Sequence, residues 1–375
     1  MCGIAGMLAA SVDAPPDEAA VRRMCDAMVH RGPDDHGYRN DGPCALGHRR
    51  LSIIDLRPEG AQPMTNEDDT IAVIVNGEIY NFQELRSELE RKGHAFKSRS
   101  DSEVCLHLYE EEGVDFLDRL RGMFALALWD GPRKRLVLAR DRFGKKPLFY
   151  HAGPEGLVFA SELAALAASG HFERRANLDA IDAYLCLQYV PSPWTAYEGV
   201  YKLPAGSRLV CENGVVGEPE RYFDLRFDQT RGGSFAELTE QLHAEIEDAV
   251  RVRMVSDVPL GAFLSGGLDS SLIVAMMARH SSGPVKTFSV GFTSKDFSEL
   301  PYAKMVADRY GTDHHELVVQ PDMASVIPEF VRHYGEPFGD TSALPTWYLC
   351  QYTRTGVTVA LSGDGGDEAF SGYRR

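Results

Sequence analysis

The sequence predicts two domains of different class: a layered α+β domain built on antiparallel strands, then an α/β domain with a parallel sheet. Three observations predict this. The length of 375 residues suits two domains, at about 150 residues each. Short β-branched runs separated by turn residues crowd the chain up to Ala160, as antiparallel meanders do. Beyond residue 234, strand-length and helix-length segments alternate, the rhythm of crossovers in a parallel sheet. The boundary is placed at 218–233, giving domains 1–217 and 234–375, where Glu212-Asn213-Gly214 and Arg231-Gly232-Gly233 interrupt the pattern.

In chain order, Cys2-Gly3-Ile4-Ala5-Gly6-Met7 reads as an opening strand and Ile71–Val75 as another, ending in Asn76-Gly77-Glu78. Asn81 is placed as an N-cap, with Glu84 three residues on and Gly93 closing the helix. Asp101 is placed as the cap of a second helix running to about Glu112, with Glu110–Glu112 as its solvated end. Strands follow at Met123–Trp129, Arg135–Arg140, Pro147–His151 and Leu157–Ala160. The second domain opens with the helix Phe235–Arg253. Then come strand Leu260–Leu264, a glycine-rich turn, helix Ser270–Arg279, strand Val285–Gly291 and helix Pro301–Tyr310. Strand His315–Val319, a further helix and strand Val357–Leu361 complete it. His314 and His315 fall on opposite faces of their strand, which suits structure rather than a metal.

Lys plus Arg number 39 and Asp plus Glu 55, a net charge of −16. That balance argues against a nucleic-acid surface, which needs clustered basic residues. The longest apolar runs, such as Met123–Trp129, fall far short of the roughly 20 residues of a membrane span. None of the seven cysteines has CxxC spacing and the twelve histidines form no HxxxH or Cys/His motif, so no structural zinc site is expected. The odd cysteine count, wide spacing and lack of a leader peptide point to a reducing cytoplasm. A homodimer is the default expectation.

Cys2 stands apart. With Met1 removed its thiol would carry its own base, an α-amine whose pKa near 8 suits proton transfer at neutral pH. On position alone it reads equally as a small buried hydrophobe. Its companions decide. Cys2-Gly3-Ile4-Ala5-Gly6, His30-Arg31-Gly32-Pro33-Asp34, Gly47-His48-Arg49-Arg50-Leu51-Ser52-Ile53, Asn76-Gly77-Glu78-Ile79-Tyr80-Asn81 and Ser100-Asp101-Ser102-Glu103 occur in that order. This set resembles the class II glutamine amidotransferases, N-terminal-nucleophile (Ntn) hydrolases with an α/β/β/α sandwich. The resemblance implies that Cys2 attacks the side-chain amide of glutamine, and that Asn76 and the Gly77 N–H, taken here as a strand-end turn, form the oxyanion hole. It also implies that Arg50 holds the α-carboxylate, and that Asp101 and Glu78 take the α-ammonium. Bland readings of the same residues are a surface ion pair for Arg50, a helix cap for Asp101 and a hairpin turn for Asn76-Gly77. Arg49 points away from Arg50 in an extended segment and is expected to face solvent.

Ser265-Gly266-Gly267-Leu268-Asp269-Ser270-Ser271 lies between an apolar strand and a helix. Its glycines admit close backbone approach to an anion, and the helix N-terminus adds free N–H groups. No Lys follows, so it is not a Walker A loop. The string is similar to the pyrophosphate loop of ATP pyrophosphatases, which have a Rossmann-like parallel sheet. Leu361-Ser362-Gly363-Asp364-Gly365-Gly366-Asp367-Glu368 follows another strand. Asp269, Asp364 and Asp367 are candidate oxygen ligands for Mg²⁺ on ATP phosphates, Asp269 and Asp367 foremost.

Together the halves resemble the asparagine synthetase B, glutamine-hydrolysing, family. The resemblance implies ATP binding at Leu264, Ser265, Gly266, Gly267, Asp269, Ser270, Val290, Ser362 and Gly363. It implies a role in forming an aspartyl adenylate at Asp364, a position often glutamate in the family. The implied reaction takes glutamine, aspartate, ATP and Mg²⁺ and yields asparagine, glutamate, AMP and pyrophosphate. Members of the family continue well beyond this point, so the second domain is expected to be incomplete. Two alternatives stand beside this reading. One is a relative amidating another carboxylate, in polysaccharide or peptide biosynthesis. The other is a non-catalytic glutamine- and ATP-binding module. The β-lactam-forming relatives typically lack the nucleophile, and glucosamine-phosphate synthase and the purine amidotransferase share only the first domain.

Overall fold

The structure is a computed structural model that describes residues 1–227, 230–292, 298–319 and 323–373, with 323–324 described by backbone alone. The linker positions 228–229 lie outside the described residues. The chain divides into two compact units, one comprising Met1–Phe227 with Ile327–Gly339, the other Asp228–Val326 with Asp340–Arg375.

The first unit begins with β1 (Gly3–Ala9), α1 (Glu18–Asp26), β2 (Asp35–Asp41), β3 (Cys44–Arg50), β4 (Met64–Thr65), β5 (Ile71–Ile79), α2 (Phe82–Lys92) and α3 (Val104–Glu112). It continues with β6 (Gly122–Asp130), β7 (Arg135–Arg140), β8 (Phe149–Gly153), β9 (Gly156–Ala160), α4 (Leu163–Ala168), α5 (Leu178–Leu187), β10 (Tyr201–Lys202), β11 (Ser207–Glu212), β12 (Val215–Val216) and β13 (Glu220–Arg221). Two antiparallel sheets result, in the orders β10-β8-β9-β1-β3-β2 and β12-β11-β7-β6-β5-β4, with β13 pairing β11.

Period-two alternation sorts β1 between two environments. Ile4 and Leu8 join Ile74, Ala127, Trp129 and Leu138 in the core between the sheets. Ala5 and Met7 face the other way, packing with Val21, Met24 and Cys25 of α1 and Leu163 and Leu166 of α4. On the far side α3 packs on β5. The order is therefore helix, sheet, sheet, helix. Both faces of each sheet are covered, so the central strands read as unbroken apolar runs rather than alternating ones.

Three local expectations are corrected here. Asn76 and Gly77 do not form a strand-end or hairpin turn: β5 runs through them, paired with Ala125 and Phe124 of β6. Asp101 does not cap a helix. α3 starts at Val104 behind Glu103, and the Asp101 carboxylate instead accepts the Ile79 N–H at 2.7 Å. Arg49 does point away from the inter-sheet core, but that face is roofed by α1 rather than solvent. Its guanidinium donates to Cys25 O (3.1 Å) and Asp26 Oδ1 (3.0 Å) and keeps only 14% of its side-chain exposure. Asn81 does stand at the start of α2 and Gly93 at its end with φ +108°. The Asn81 side chain, however, bonds Arg119 O and Arg121 N rather than the helix.

The rest of the chain runs α6 (Phe235–Val252), β14 (Leu260–Phe263), α7 (Leu268–His280), β15 (Lys286–Phe292), α8 (Leu300–Tyr310), β16 (Asp313–Val319), α9 (Met323–Tyr334), α10 (Ala343–Thr353), β17 (Val359–Leu361) and α11 (Gly366–Phe370). The expected single helix before the last strand is thus two, α9 and α10. The second unit holds a parallel sheet in the order β16-β15-β14-β17. Ala262, Leu264, Val274, Met277, Ala303 and Ala307 form its core. Chain order reverses at β14, which has β15 on one side and β17 on the other. Ligands bind at such a switch point, outside the carboxyl ends of the strands. Among the described residues, no helix is long and apolar enough to cross a membrane.

Candidate active site

In the first unit, β1 pairs antiparallel with β3, so Gly3 lies opposite Arg49. The start of one strand thereby meets the end of the other. The Leu51 N–H points at Cys2 Sγ (3.4 Å), with Leu51 O 3.7 Å away. An N–H aimed at sulfur favours the thiolate. Burial works against it and outweighs the Leu51 N–H, the terminal amine and Arg31, so the thiol sits above its ordinary value. A nucleophile in that state needs a nearby base at the moment of attack.

The His48 ring links β3 to the second sheet, its Nε2 lying 3.2 Å from Val75 O. Beside Val75 stands Asn76, wholly buried, with neither Nδ2 nor Oδ1 in a hydrogen bond. A buried amide without a partner is rare and calls for a reason. The edge of β5 supplies one. Past Val73 that edge has no strand beside it among the described residues, since β4 pairs only with Ala72 and Val73. Gln62 Oε1 takes the Val75 N–H (2.6 Å) and Asp101 Oδ2 takes the Ile79 N–H. Alternation puts the Gly77 N–H on the same edge, between those two. A side chain at Gly77 would lie 2.2 Å from Met123 O, so close strand pairing requires glycine there.

Arg50 is 6% exposed, and its guanidinium donates to the carbonyls of Arg57 (3.3 Å), Ile54 (3.4 Å) and Asp55. Carbonyls orient the fork without neutralising it. Among the described residues no carboxylate pairs with it, which suits an incoming carboxylate. The loop that holds it is pinned by Asp55. That buried carboxylate takes Arg57 in a fork (2.6 and 2.7 Å) and the Arg99 N–H (2.6 Å), and the Arg57 bond holds its carboxyl well below the usual range. Burial raises the carboxyl of Asp101, which acts electrostatically on Cys2. Glu78 follows on β5, half-buried. The geometry thus gathers Cys2, Arg50, Asn76, Gly77, Glu78 and Asp101 at one end of the sandwich.

Two further side chains of this site escaped the sequence reading. Lys146 is 6% exposed, and burial pushes its amine down to about 8, with Cys2 and Glu78 among the charges acting on it. Arg31 donates to Cys2 O (2.8 Å) and pairs with Glu162 (2.9 Å). Arg31 stood in a quoted motif without a role. Lys146 had as its only signal a lysine set just before the apolar β8.

In the second unit, Ser265–Ser271 and Ser362–Gly366 leave the carboxyl ends of the neighbouring strands β14 and β17. They also touch: a Cβ on Gly363 would lie 2.8 Å from Ser270 N, and one on Gly366 2.3 Å from the Asp269 carboxylate carbon. Gly266 has φ +84°, with Ala303 N 2.4 Å from where a Cβ would be. Ser265 and Ser270 hydroxyls meet at 3.0 Å, Ser265 Oγ accepts the Gly267 N–H at 3.1 Å, and Ser362 Oγ donates to Asp364 (2.9 Å). Leu264 is buried under the loop and Val290 stands on adjacent β15. Among the described residues, Asp269, Asp364 and Asp367 do not close into a three-ligand cluster.

Comparison with known proteins also divides the chain in two, between residues 223 and 241. The family described as "Glutamine amidotransferase domain" matches residues 1–223, and "Asparagine synthase" matches 241–375. A Bacillus subtilis protein, asparagine synthetase (glutamine-hydrolyzing) 1, is 39% identical over the whole chain, which spans 59% of it. A Methanocaldococcus jannaschii protein named for the same synthetase is 36% identical over the whole chain, which spans 76% of it.

The chain belongs to the glutamine-hydrolysing asparagine synthetase family.

It therefore spans about three-fifths of the length of its Bacillus subtilis relative. Among solved structures, the allosteric regulatory enzyme of purine biosynthesis has a TM-score of 0.46 at 15% identity, with 92% of this chain and 90% of that one covered. Within the two matches, residues 1–223 hold Cys2 with its surrounding motifs and residues 241–375 hold the two glycine-rich turns.

Proposed function

We propose that this protein is a glutamine-dependent asparagine synthetase. Cys2 Sγ attacks the glutamine carboxamide carbon, and the tetrahedral oxyanion takes the Gly77 N–H and Asn76 Nδ2. With Met1 removed, the Cys2 α-amine accepts the thiol proton and returns it to the departing ammonia. Water then hydrolyses the thioester to glutamate. Arg50 holds the α-carboxylate, and Asp101 and Glu78 hold the α-ammonium. In the second unit, Ser265, Gly266, Gly267, Asp269, Ser270, Ser362 and Gly363 bind ATP between Leu264 and Val290, and Asp364 supports activation of the aspartate carboxylate. Asp269 and Asp367 would hold Mg²⁺, which draws charge from the phosphates when bound. Ammonia replaces the adenylate on aspartate, so asparagine and AMP leave.

The observation that supports the glutaminase half is the buried, unpartnered Asn76 amide beside the open edge of β5. For the synthetase half it is the convergence of the two glycine-rich turns at a switch point. A homodimer in the cytoplasm is the setting we infer, in keeping with seven free cysteines. The test measures glutamate from glutamine, then pyrophosphate from ATP and Mg²⁺ with a panel of carboxylates. Glutamate release lost in Cys2→Ala, and pyrophosphate release that needs aspartate, is the expected pair of results. Pyrophosphate release driven by another carboxylate would overturn the choice of acceptor.

A further inference from the structure

Away from both sites, four side chains from three segments converge under α3. Glu67 comes from the turn after β4, His94 from just beyond the end of α2, and His107 and Glu110 from one face of α3. One ligand atom from each lies within 4.8 Å of the other three. The His94 Nδ1 stands 3.4 Å from Glu67 Oε1 and 3.6 Å from Glu110 Oε2, and the His107 Nδ1 stands 3.5 Å from Glu67 Oε2 and 2.9 Å from the same Glu110 Oε2. A tetrahedral zinc ion with bonds near 2.05 Å has ligand atoms about 3.3 Å apart. Whichever Glu67 oxygen is taken, the three measured edges run from 2.9 to 3.6 Å and bracket that value.

We propose that this cluster is a structural zinc site, with Nδ1 of His94 and His107 and one oxygen each from Glu67 and Glu110 as ligands. The surrounding groups supply most of what such a site needs. A ligating histidine turns its other nitrogen to a carboxylate or carbonyl. The His94 Nε2 faces Glu111 at 3.2 Å, and the His107 Nε2, which makes no hydrogen bond, faces Glu103 at 3.9 Å. Glu110 Oε1 accepts from Asn66 Nδ2 (2.8 Å) and Glu67 Oε1 accepts the Ala95 N–H (3.0 Å). His107 is 1% exposed, so its ring cannot swing out to water. Two carboxylates balance a dication.

The site would staple the end of α2, the face of α3 and the β4–β5 turn together. The loop leading into α3 carries Asp101 and Glu103, so the staple lies beneath one wall of the glutamine site without touching substrate. Sequence spacing could not show this: no two ligands but His107 and Glu110 lie within ten residues of each other.

The test is to strip the full-length protein with chelator and titrate it with Zn²⁺ at neutral pH, reading bound metal by equilibrium dialysis and elemental analysis. Co²⁺ serves as a spectroscopic stand-in for a tetrahedral nitrogen and oxygen shell. Wild type and Cys2→Ala should each bind one equivalent, with a raised unfolding midpoint and tetrahedral Co²⁺ absorption. His94→Gln and Glu67→Gln, both at the rim, should weaken binding tenfold or more while keeping the metal-free midpoint near wild type. Binding absent from wild type, or unaffected by both rim variants, or lost in Cys2→Ala, would overturn the assignment.

Discussion

Asn76→Leu separates function from stability in one substitution. Leucine has the same branching and number of side-chain heavy atoms as asparagine, and Asn76 is wholly buried with both amide atoms unpaired. An unsatisfied buried polar group costs about 1–3 kcal/mol, and an apolar group of the same shape removes that cost. The variant should therefore be at least as stable as wild type, by up to about 3 kcal/mol. For a unit of this size that corresponds to roughly 2–4 °C in unfolding midpoint per kcal/mol. Loss of one oxyanion donor costs about 10²–10³ in kcat, or 2.7–4 kcal/mol. Circular dichroism melting and a glutamate-release assay at saturating glutamine read the two effects separately. A variant that melts lower by several degrees and still hydrolyses glutamine within fivefold of wild type would refute the reasoning, since Asn76 would then be a packing residue.

Four further outcomes are expected. Cys2→Ala should abolish glutamate release without lowering the unfolding midpoint by more than a degree or two. Arg50→Lys should raise KM for glutamine tenfold or more with a smaller change in kcat, because a point charge cannot reproduce the bidentate fork; steady-state kinetics decide. Burial drives His48 down to about 4, against about 6.5 unfolded. Its neutral form thus contributes stability that is complete above pH 6.5 and lost as pH falls through 4. The pH-dependent part reaches about 3 kcal/mol, and His48→Gln should lose less stability between pH 7 and 4.5 than wild type in urea titrations. Gly266→Ala should reduce ATP-dependent pyrophosphate release and leave glutamine hydrolysis intact, because a side chain there meets both a left-handed φ and the Ala303 backbone.

The local rhythm of both units was legible in the chain. Arg135–Arg140 was placed to the residue, and the helix opening the second unit was placed to within one residue, ending at Val252, because strand and helix periods are properties of neighbouring residues. The motif order also identified both candidate sites, since each motif carries its glycines and donors in one short stretch. Partners were not legible. Alternation put Arg49 opposite Arg50, yet only packing revealed that α1 covers that face. The polar string Asn76-Gly77-Glu78 looked like a turn, and β6 made it a strand.

The sequence by itself determined the two classes of fold and the glycine-rich turns, and singled out Cys2 as the candidate nucleophile. Tertiary structure alone decided that β14 and β17 lie side by side, that Asn76 is buried unpaired, that Lys146 reaches the Cys2 thiol's field, and that Glu67, His94, His107 and Glu110 meet. The physical reason is common to all four. A period tells which face of an element is apolar, whereas which element covers that face depends on long-range burial that no local pattern encodes.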